Sequence, residues 1–172
     1  MLECRAARDR EELAVRSNGG NWLTAWHPPG EPPVGTPHGA NGLCKTADDG
    51  VVLISNDASR WGWPGGRPKG NESWEQTLRR EILEEACGIV REARLLGFCR
   101  SRCLSGPEKG LVLVRSIWRA EIDLMPWNPR FEIAHRRVVS ASELLSHLWM
   151  EDGFEPIYYR ALREAALWGT HA

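Results

Sequence analysis

The 172-residue sequence lacks the features of a secreted or membrane-embedded protein. No apolar run approaches the roughly 20 residues that a membrane-spanning helix requires. Residues 1–16 are charged throughout and lack the apolar core of a signal peptide. We therefore expect no membrane partner and a cytoplasmic location.

An excess of charge of either sign is also absent. The chain has 22 basic and 23 acidic residues, and its formal net charge at pH 7 is -1. Such a chain has no long-range attraction for DNA, RNA or anionic lipid, so we expect no stable nucleic-acid binding. A phosphate-bearing ligand would have to be held by local groups.

Cysteine pairs are missing, whereas tryptophan is abundant. The five cysteines include no C-x-x-C pair, and their spacing favours neither a zinc site nor a disulfide framework. Nine tryptophans are many for this length, and most are expected to pack in the core or at its rim. The candidates for stacking on a ligand base are those in loop-like segments: Trp22, Trp26, Trp61 and Trp127.

A proline- and glycine-rich segment at residues 27–39 divides the chain. We predict an N-terminal extension over residues 1–38, with a short polar helix at 5–16, and one main domain over residues 39–172. A homodimer that uses the extension as an interface arm is a hypothesis, because the sequence leaves the oligomeric state open.

Apolar periodicity and turn residues predict a mixed α/β layout with helices packed on a sheet. Strands are expected at 42–46, 51–55, 93–101, 111–121 and 137–140. Helices are expected at 73–87, 141–148 and 155–168. Ser73 and Gln76 form a capping box at the first helix, and Ser140 or Ser142 is expected to cap the second.

The stretch 65-GGRPKGNESWEQTLRREILEEACG-88 places three glutamates on one helix face, namely Glu81, Glu84 and Glu85. The opposite side carries an apolar stripe of Trp74, Leu78 and Ile82. Because like charges at this spacing repel, a cation is expected among the carboxylates. Hard oxygen ligands on a rigid helix suit Mg²⁺ or Mn²⁺. The alternative is a solvated acidic face.

Two features flank this acidic face. Gly65 and Gly66 form a turn just before the helix, where the backbone can approach a ligand and the Gly65 carbonyl is a candidate metal ligand. Arg80 lies one step off the glutamate face. Its expected partner is Glu72, in an ion pair that fixes the preceding loop against the helix.

The longer pattern resembles the Nudix box, G-x5-E-x7-R-E-U-x-E-E-x-G-U, in which U is an aliphatic residue. The residues in register are Gly66, Glu72, Arg80, Glu81, Ile82, Glu84 and Glu85. The turn Trp63-Pro64-Gly65-Gly66 also looks like the family's lead-in. The end of the pattern departs, since Cys87 replaces the family's last glycine and Gly88 stands where the family has an aliphatic residue. We expect a buried Cys87 that continues the helix, with Gly88 as the residue that ends it.

The resemblance implies an α/β/α sandwich on a mixed sheet, with the Nudix domain at residues 39–172. It also implies hydrolysis of a diphosphate linkage in a nucleoside diphosphate joined to another group. By the same resemblance, Glu81, Glu84 and Glu85 hold Mg²⁺, for which Mn²⁺ can substitute, and Glu81 orients or deprotonates the attacking water. Gly66, Glu72 and Arg80 then have structural roles.

Many family members use a further glutamate outside the box as ligand or base. Glu132 is our candidate for this catalytic role, and Glu121 and Glu108 are weaker ones. The neighbouring pair Arg136-Arg137 is interpreted as a solvated face.

The small-molecule substrate stays open between a nucleotide sugar or ADP-ribose type and a (d)NTP. The rival interpretation is a non-catalytic Nudix-like domain that senses a nucleotide, although intact box glutamates argue against it. An enzyme acting on RNA ends is disfavoured by the net charge.

Overall fold

Strands dominate the computed structural model, which describes residues 5–168. The strands are β1 (Leu13–Ser17), β2 (Gly20–His27), β3 (Thr36–Lys45), β4 (Val51–Ser55), β5 (Gly65–Gly66), β6 (Gly88–Ser105), β7 (Val112–Leu124) and β8 (His135–Val139). The helices are α1 (Trp74–Ala86), α2 (Leu144–His147) and α3 (Glu155–Glu164). None of these helices is long and apolar enough to cross a membrane.

These elements form two compact units, and the long strands β6 and β7 contribute residues to both. The described part of the first unit comprises residues 5–38, 96–117 and 150–168. The second unit comprises residues 39–95 and 118–149, and it contains the whole acidic segment. The boundary between an extension and a main domain near residue 38 stays a prediction.

The first unit has the strand order β1-β2-β6-β7. Its pairs β1–β2 and β2–β6 are antiparallel, with Val15 opposite Trp22 and Trp26 opposite Cys99. Helix α3 buries the apolar side that its periodicity predicts, which consists of Ile157, Ala161 and Leu162.

Two predictions for this unit are wrong. The polar helix expected at 5–16 is absent, because residues from Leu13 onward form β1 and point Val15 into the core with 2% of its surface exposed. Trp22 and Trp26 lie in β2, where the alternation of a strand buries both side chains. They are core residues and cannot stack on a ligand.

The second unit has the strand order β6-β7-β3-β4-β8, with the short β5 paired to β3. Its pairs β3–β4, β3–β5 and β4–β8 are antiparallel, and a parallel bridge joins Trp61 to Leu148. The prediction of a mixed sheet that carries a few helices is confirmed.

Helix α1 lies over the core of the second unit. Leu78 and Ile82 are completely buried, and Trp74 packs at the edge of the same cluster, as the apolar stripe predicts. The capping box is present: Gln76 N–H donates to Ser73 Oγ at 3.2 Å, and Ser73 N–H donates to Gln76 Oε1 at 2.8 Å. Local sequence therefore fixes both where α1 begins and which side it buries.

The end of α1 differs from the expectation. The helix stops at Ala86, and Cys87 itself takes the left-handed conformation, with φ 50° and ψ 45°. Gly88 opens β6, where a Cβ would lie 3.0 Å from side-chain atoms of both Ile82 and Ile122. Cys87 thus adopts the conformation that glycine adopts most easily, while close packing explains the glycine that follows. The prediction that Cys87 is buried is confirmed.

The second predicted helix is much shorter than expected. Only Leu144–His147 are helical, and neither Ser140 nor Ser142 caps them. The hydroxyl of Ser140 instead donates to Glu143 Oε2 at 2.7 Å, which stabilises a turn before the helix. Local serine–carboxylate bonding competes here with a longer helix.

We predict that Trp26→Ala lowers the free energy of unfolding by about 3–5 kcal/mol, because a fully buried indole is replaced by a cavity. Trp149→Ala is the matched control, since this side chain is 41% exposed, and it should cost less than about 1 kcal/mol. Urea unfolding measures both. Equal losses would contradict the assignment of Trp26 to the core.

Candidate active site

Arg80 connects the acidic helix to the loop before it. Its Nε and Nη2 donate to the two oxygens of Glu72 at 2.7 and 2.9 Å, so the predicted ion pair is confirmed. Its Nη1 donates to Glu81 at 2.7 Å and to Glu84 at 3.2 Å. The bonds from Arg80 to Glu72 are the main reason why the pKa of Glu72 is lowered to about 2. One guanidinium therefore neutralises part of the charge on three carboxylates.

Gly66 provides the space that the carboxylate of Glu81 occupies. A Cβ at position 66 would lie 2.5 Å from Glu81 Oε1, closer than any real contact. The strand β5 is held in place because Gly66 pairs with Ala40 and Gly65 with Asn41. Glu81 is consequently only 8% exposed, although it carries a formal charge.

Glu85 is the least compensated member of the acidic face. Its Oε2 accepts a hydrogen bond from the Gly65 N–H at 2.8 Å, and no basic side chain among residues 5–168 pairs with it. Burial raises the pKa of Glu85 to about 7. The Gly65 bond lowers it, while the negative charges of Glu81, Glu132 and Glu84 raise it further.

Glu132 contributes to this electrostatic effect on the acidic helix. Glu132 is exposed in the loop between β7 and β8, and its charge acts on Glu85. The two weaker candidates are engaged elsewhere: Glu121 accepts from Arg119 at 2.7 Å, and Glu108 lies within hydrogen-bond distance of Asn18 in the first unit. The electrostatic effect on Glu85 favours Glu132 among the three, and its catalytic role stays a prediction.

The acidic side chains of the site outnumber the basic ones. The fixed positions of the box carry four glutamates, Glu72, Glu81, Glu84 and Glu85. Besides Arg80, only Lys69 among the described residues pairs with one of these four, at 3.3 Å from Glu84. Once Glu85 is ionised, two negative charges remain, and the donors are hard oxygens, so the chemistry of this set fits a divalent cation such as Mg²⁺.

The carboxylates do not yet converge on one point. In the described part of the chain, no three His, Cys, Asp or Glu side chains form a ready metal-ligand cluster. Glu81 and Glu84 are turned toward Arg80, and Glu85 is turned toward the Gly65 N–H. Binding of a metal would therefore require these side chains to exchange hydrogen-bond partners.

Neither remaining candidate tryptophan offers a free, exposed ring to a nucleobase. Trp61 is buried beneath Arg137, whose guanidinium carbon is 4.3 Å from the centre of the ring. Trp127 is half-buried, and Arg136 lies 5.1 Å over its ring. Both rings thus have a cation on one face, which is a packing role.

Arg136 has a role that the sequence did not reveal. This side chain is half-buried and donates to the backbone carbonyls of Ala86 and Met125, so the expectation of a solvated face is wrong for it. Arg137, its neighbour, is exposed as expected. One signal was available in the sequence: α1 ends in acidic residues and has no basic residue in its last turn.

Comparison with known proteins agrees with the box and the fold. A NUDIX domain model matches residues 36–162. The chain therefore belongs to the Nudix family, whose hydrolases act on nucleoside diphosphate derivatives. Comparison with curated proteins gave no match.

Three solved structures illustrate the similarity of fold. The Bacillus subtilis pyrophosphohydrolase BsRppH matches with a TM-score of 0.68 and 17% identity, covering 91% of this chain and 96% of its own. A NUDIX hydrolase from Nitrosomonas europaea matches with a TM-score of 0.59 and 20% identity, covering 76% of this chain and 89% of its own. The NUDIX domain of Shewanella oneidensis NrtR, complexed with ADP ribose, matches with a TM-score of 0.56 and 17% identity. The match covers 78% of this chain and 90% of the NrtR chain.

We predict that Gly66→Ala reduces hydrolysis about 100-fold, because the three atoms nearest the new Cβ all belong to the carboxylate of Glu81, which must move. Gly62→Ala is the control in the same segment, since a Cβ there meets nothing within 4 Å. Steady-state kinetics on a nucleotide substrate measures the effect. Comparable activity of the two variants would show that Glu81 does not need this space.

We also predict that Glu85 makes the metal-free protein less stable as the pH rises. The folded state keeps a proton on Glu85 up to about pH 7, whereas the unfolded chain releases it near the ordinary glutamate pKa of 4.5, so stability falls across this window. In Glu85→Gln the loss of unfolding free energy between about pH 5 and pH 8 should be smaller by on the order of 3 kcal/mol.

The measurement is urea unfolding in the presence of EDTA at several pH values. Glu92→Gln, at an exposed position, is the control and should follow the wild-type pH dependence. Parallel curves for wild type and Glu85→Gln would contradict the burial effect on Glu85.

Proposed function

We propose that this protein is a Mg²⁺-dependent hydrolase that cleaves the diphosphate linkage of a nucleoside diphosphate derivative. The observation that carries the proposal is the uncompensated Glu85 beside Glu81 and Glu84, within a Nudix box that keeps all of its glutamates. A solvated acidic face does not account for it, because Glu81 is buried and Glu85 is half-buried.

Glu81, Glu84 and Glu85, together with the Gly65 carbonyl, would hold Mg²⁺, and Mn²⁺ would be a substitute. When bound, the metal would polarise the phosphoryl oxygens and offset charge on the leaving group.

The other residues of the box prepare this arrangement. Arg80 and Glu72 fix the loop against α1, and the Gly65 N–H bonds to Glu85 of the same helix. Gly66 leaves room for Glu81. Positioning of this kind supplies much of the rate enhancement in phosphoryl transfer.

The attacking water needs a group that accepts its proton. Glu132 is proposed for this role because it is exposed and lies outside the ion-pair network of Arg80. Its negative charge also raises the pKa of Glu85. Glu81 is the alternative, orienting or deprotonating the water from within the box.

The proposed substrates are a nucleotide sugar or ADP-ribose type and a (d)NTP. The NrtR domain, whose structure contains ADP ribose, supports the first type through its similar fold. The alternative function is a non-catalytic Nudix-like domain that senses a nucleotide. The proposed partner is a small molecule rather than nucleic acid, and the proposed location is cytoplasmic. A homodimer stays a separate hypothesis.

The test is product analysis by mass spectrometry with Mg²⁺ and a mixed panel. The panel contains nucleoside triphosphates, nucleotide sugars, ADP-ribose and dinucleoside polyphosphates. We expect one class to yield a nucleoside monophosphate, and Glu85→Gln to lose on the order of 10²- to 10³-fold in kcat. Glu75→Gln is the control, because Glu75 lies in the first turn of α1 and pairs with Arg79.

Two outcomes would reject the enzyme. Turnover that is equal in wild type and Glu85→Gln would assign the activity to a contaminant or to another site. No turnover with Mg²⁺ or Mn²⁺, together with a thermal shift caused by one nucleotide of the panel, would establish the sensor instead.

A further inference from the structure

Arg136 joins two segments that carry acidic residues of the proposed site. Its Nη1 donates to the carbonyl of Ala86 at 2.8 Å and to the carbonyl of Met125 at 3.0 Å. Ala86 is the last residue of α1 and directly follows Glu85. Met125 is the first residue of the loop 125–134, between β7 and β8. One side chain therefore bonds to the helix end and to the start of the loop.

Three further contacts hold the same junction. The Met125 N–H donates to the carbonyl of Cys87 at 2.9 Å, and the Cys87 thiol donates to the Asn128 carbonyl at 3.5 Å. The guanidinium of Arg136 also covers the ring of Trp127. Met125 and Asn128 are thus tied to Cys87 at the end of α1, and Trp127 is covered by Arg136.

The far end of the loop is fixed as well. Ile133 is buried in the core cluster that also contains Ile82 and Ala86. Glu132 is the residue immediately before it and is exposed. Both ends of the loop that carries Glu132 are therefore anchored, one by Arg136 and one in the core.

The positive charge of Arg136 lies at the C-terminal end of α1, where a helix carries partial negative charge. The last carbonyls of a helix have no partner within it and carry partial negative charge. In α1 this end also bears Glu84 and Glu85, and its last turn contains no basic residue. A cation in this turn is normally favourable, and here β8 provides it from a distant part of the sequence.

We propose that Arg136 is a positioning residue that fixes the loop carrying Glu132 against the end of α1 that carries Glu85. Its consequence for catalysis rests on the proposed function, whereas its effect on the loop does not. Arg136 itself touches backbone carbonyls and Trp127, so it acts through Glu132 and Glu85.

The first experiment compares amide hydrogen exchange in metal-free, full-length protein. Arg136→Met keeps an apolar stem but removes the donors, and we expect faster exchange in residues 125–134. Arg136→Lys keeps a charged donor and should restore part of the protection. Arg137→Met is the matched control, because the exposed Arg137 stacks on Trp61 and should leave the loop unchanged.

The second experiment separates positioning from a general loss of stability. It uses the panel nucleotide with the highest kcat/KM. We expect Arg136→Met to lower kcat by about 10- to 100-fold with little change in KM, because the carboxylates are misplaced while the binding contacts remain. Arg136→Lys should recover part of kcat, and Arg137→Met should match the wild type.

Three results would overturn the proposal. They are wild-type exchange of residues 125–134 in Arg136→Met, an unchanged kcat despite faster exchange, and a raised KM with unchanged kcat. If Arg136→Met does not fold, the exchange and kinetics of Arg136→Lys, with Arg136→Gln beside it, decide by the same criteria. If the wild type hydrolyses nothing in the panel, the proposed function fails, and the exchange data alone confirm or reject the positioning of the loop.

Discussion

The guanidinium of Arg80 is the interaction on which the acidic site depends. It reaches Glu72 with two parallel bonds and, from the same plane, contacts Glu81 and Glu84. Only a planar group with several fixed donors can do this, and the point charge of a lysine could not reproduce it. Without such a group, the buried Glu81 would be an isolated charge with a large desolvation cost. The loop before α1 would also lose its link to the helix.

The C-terminal end of α1 is stabilised by hydrogen bonds of Cys87. Cys87 takes a left-handed backbone conformation in place of the family's glycine, and such a conformation is costly for a residue with a Cβ. Hydrogen bonds of Cys87 to Met125 and Asn128 offset that cost. The departure from the box is therefore local, and it leaves the carboxylates one turn earlier unaffected.

Features that depend on residues close together in the chain could be predicted from the sequence. The capping box of Ser73, the buried stripe on α1 and the pair of Arg80 with Glu72 are of this kind. Two features escaped prediction for different reasons. Residues of β1 become a strand because they pair with β2 across the tight turn at Asn18-Gly19, where both residues have positive φ, and the helix prediction overlooked this local hairpin signal. Arg136 was missed because its partners lie 50 and 11 positions away.

These observations explain how a helix with such an unfavourable charge distribution persists. Carboxylates at its C-terminal end oppose the helix dipole, and burial of Glu85 adds a further cost. Compensation comes from outside the acidic face, through the capping box, the fully buried Leu78 and Ile82, and the cations of Arg80 and Arg136. A sequence selected for stability alone would not place glutamates at these positions. Their presence, with support from so many other residues, is what a metal-dependent active site requires.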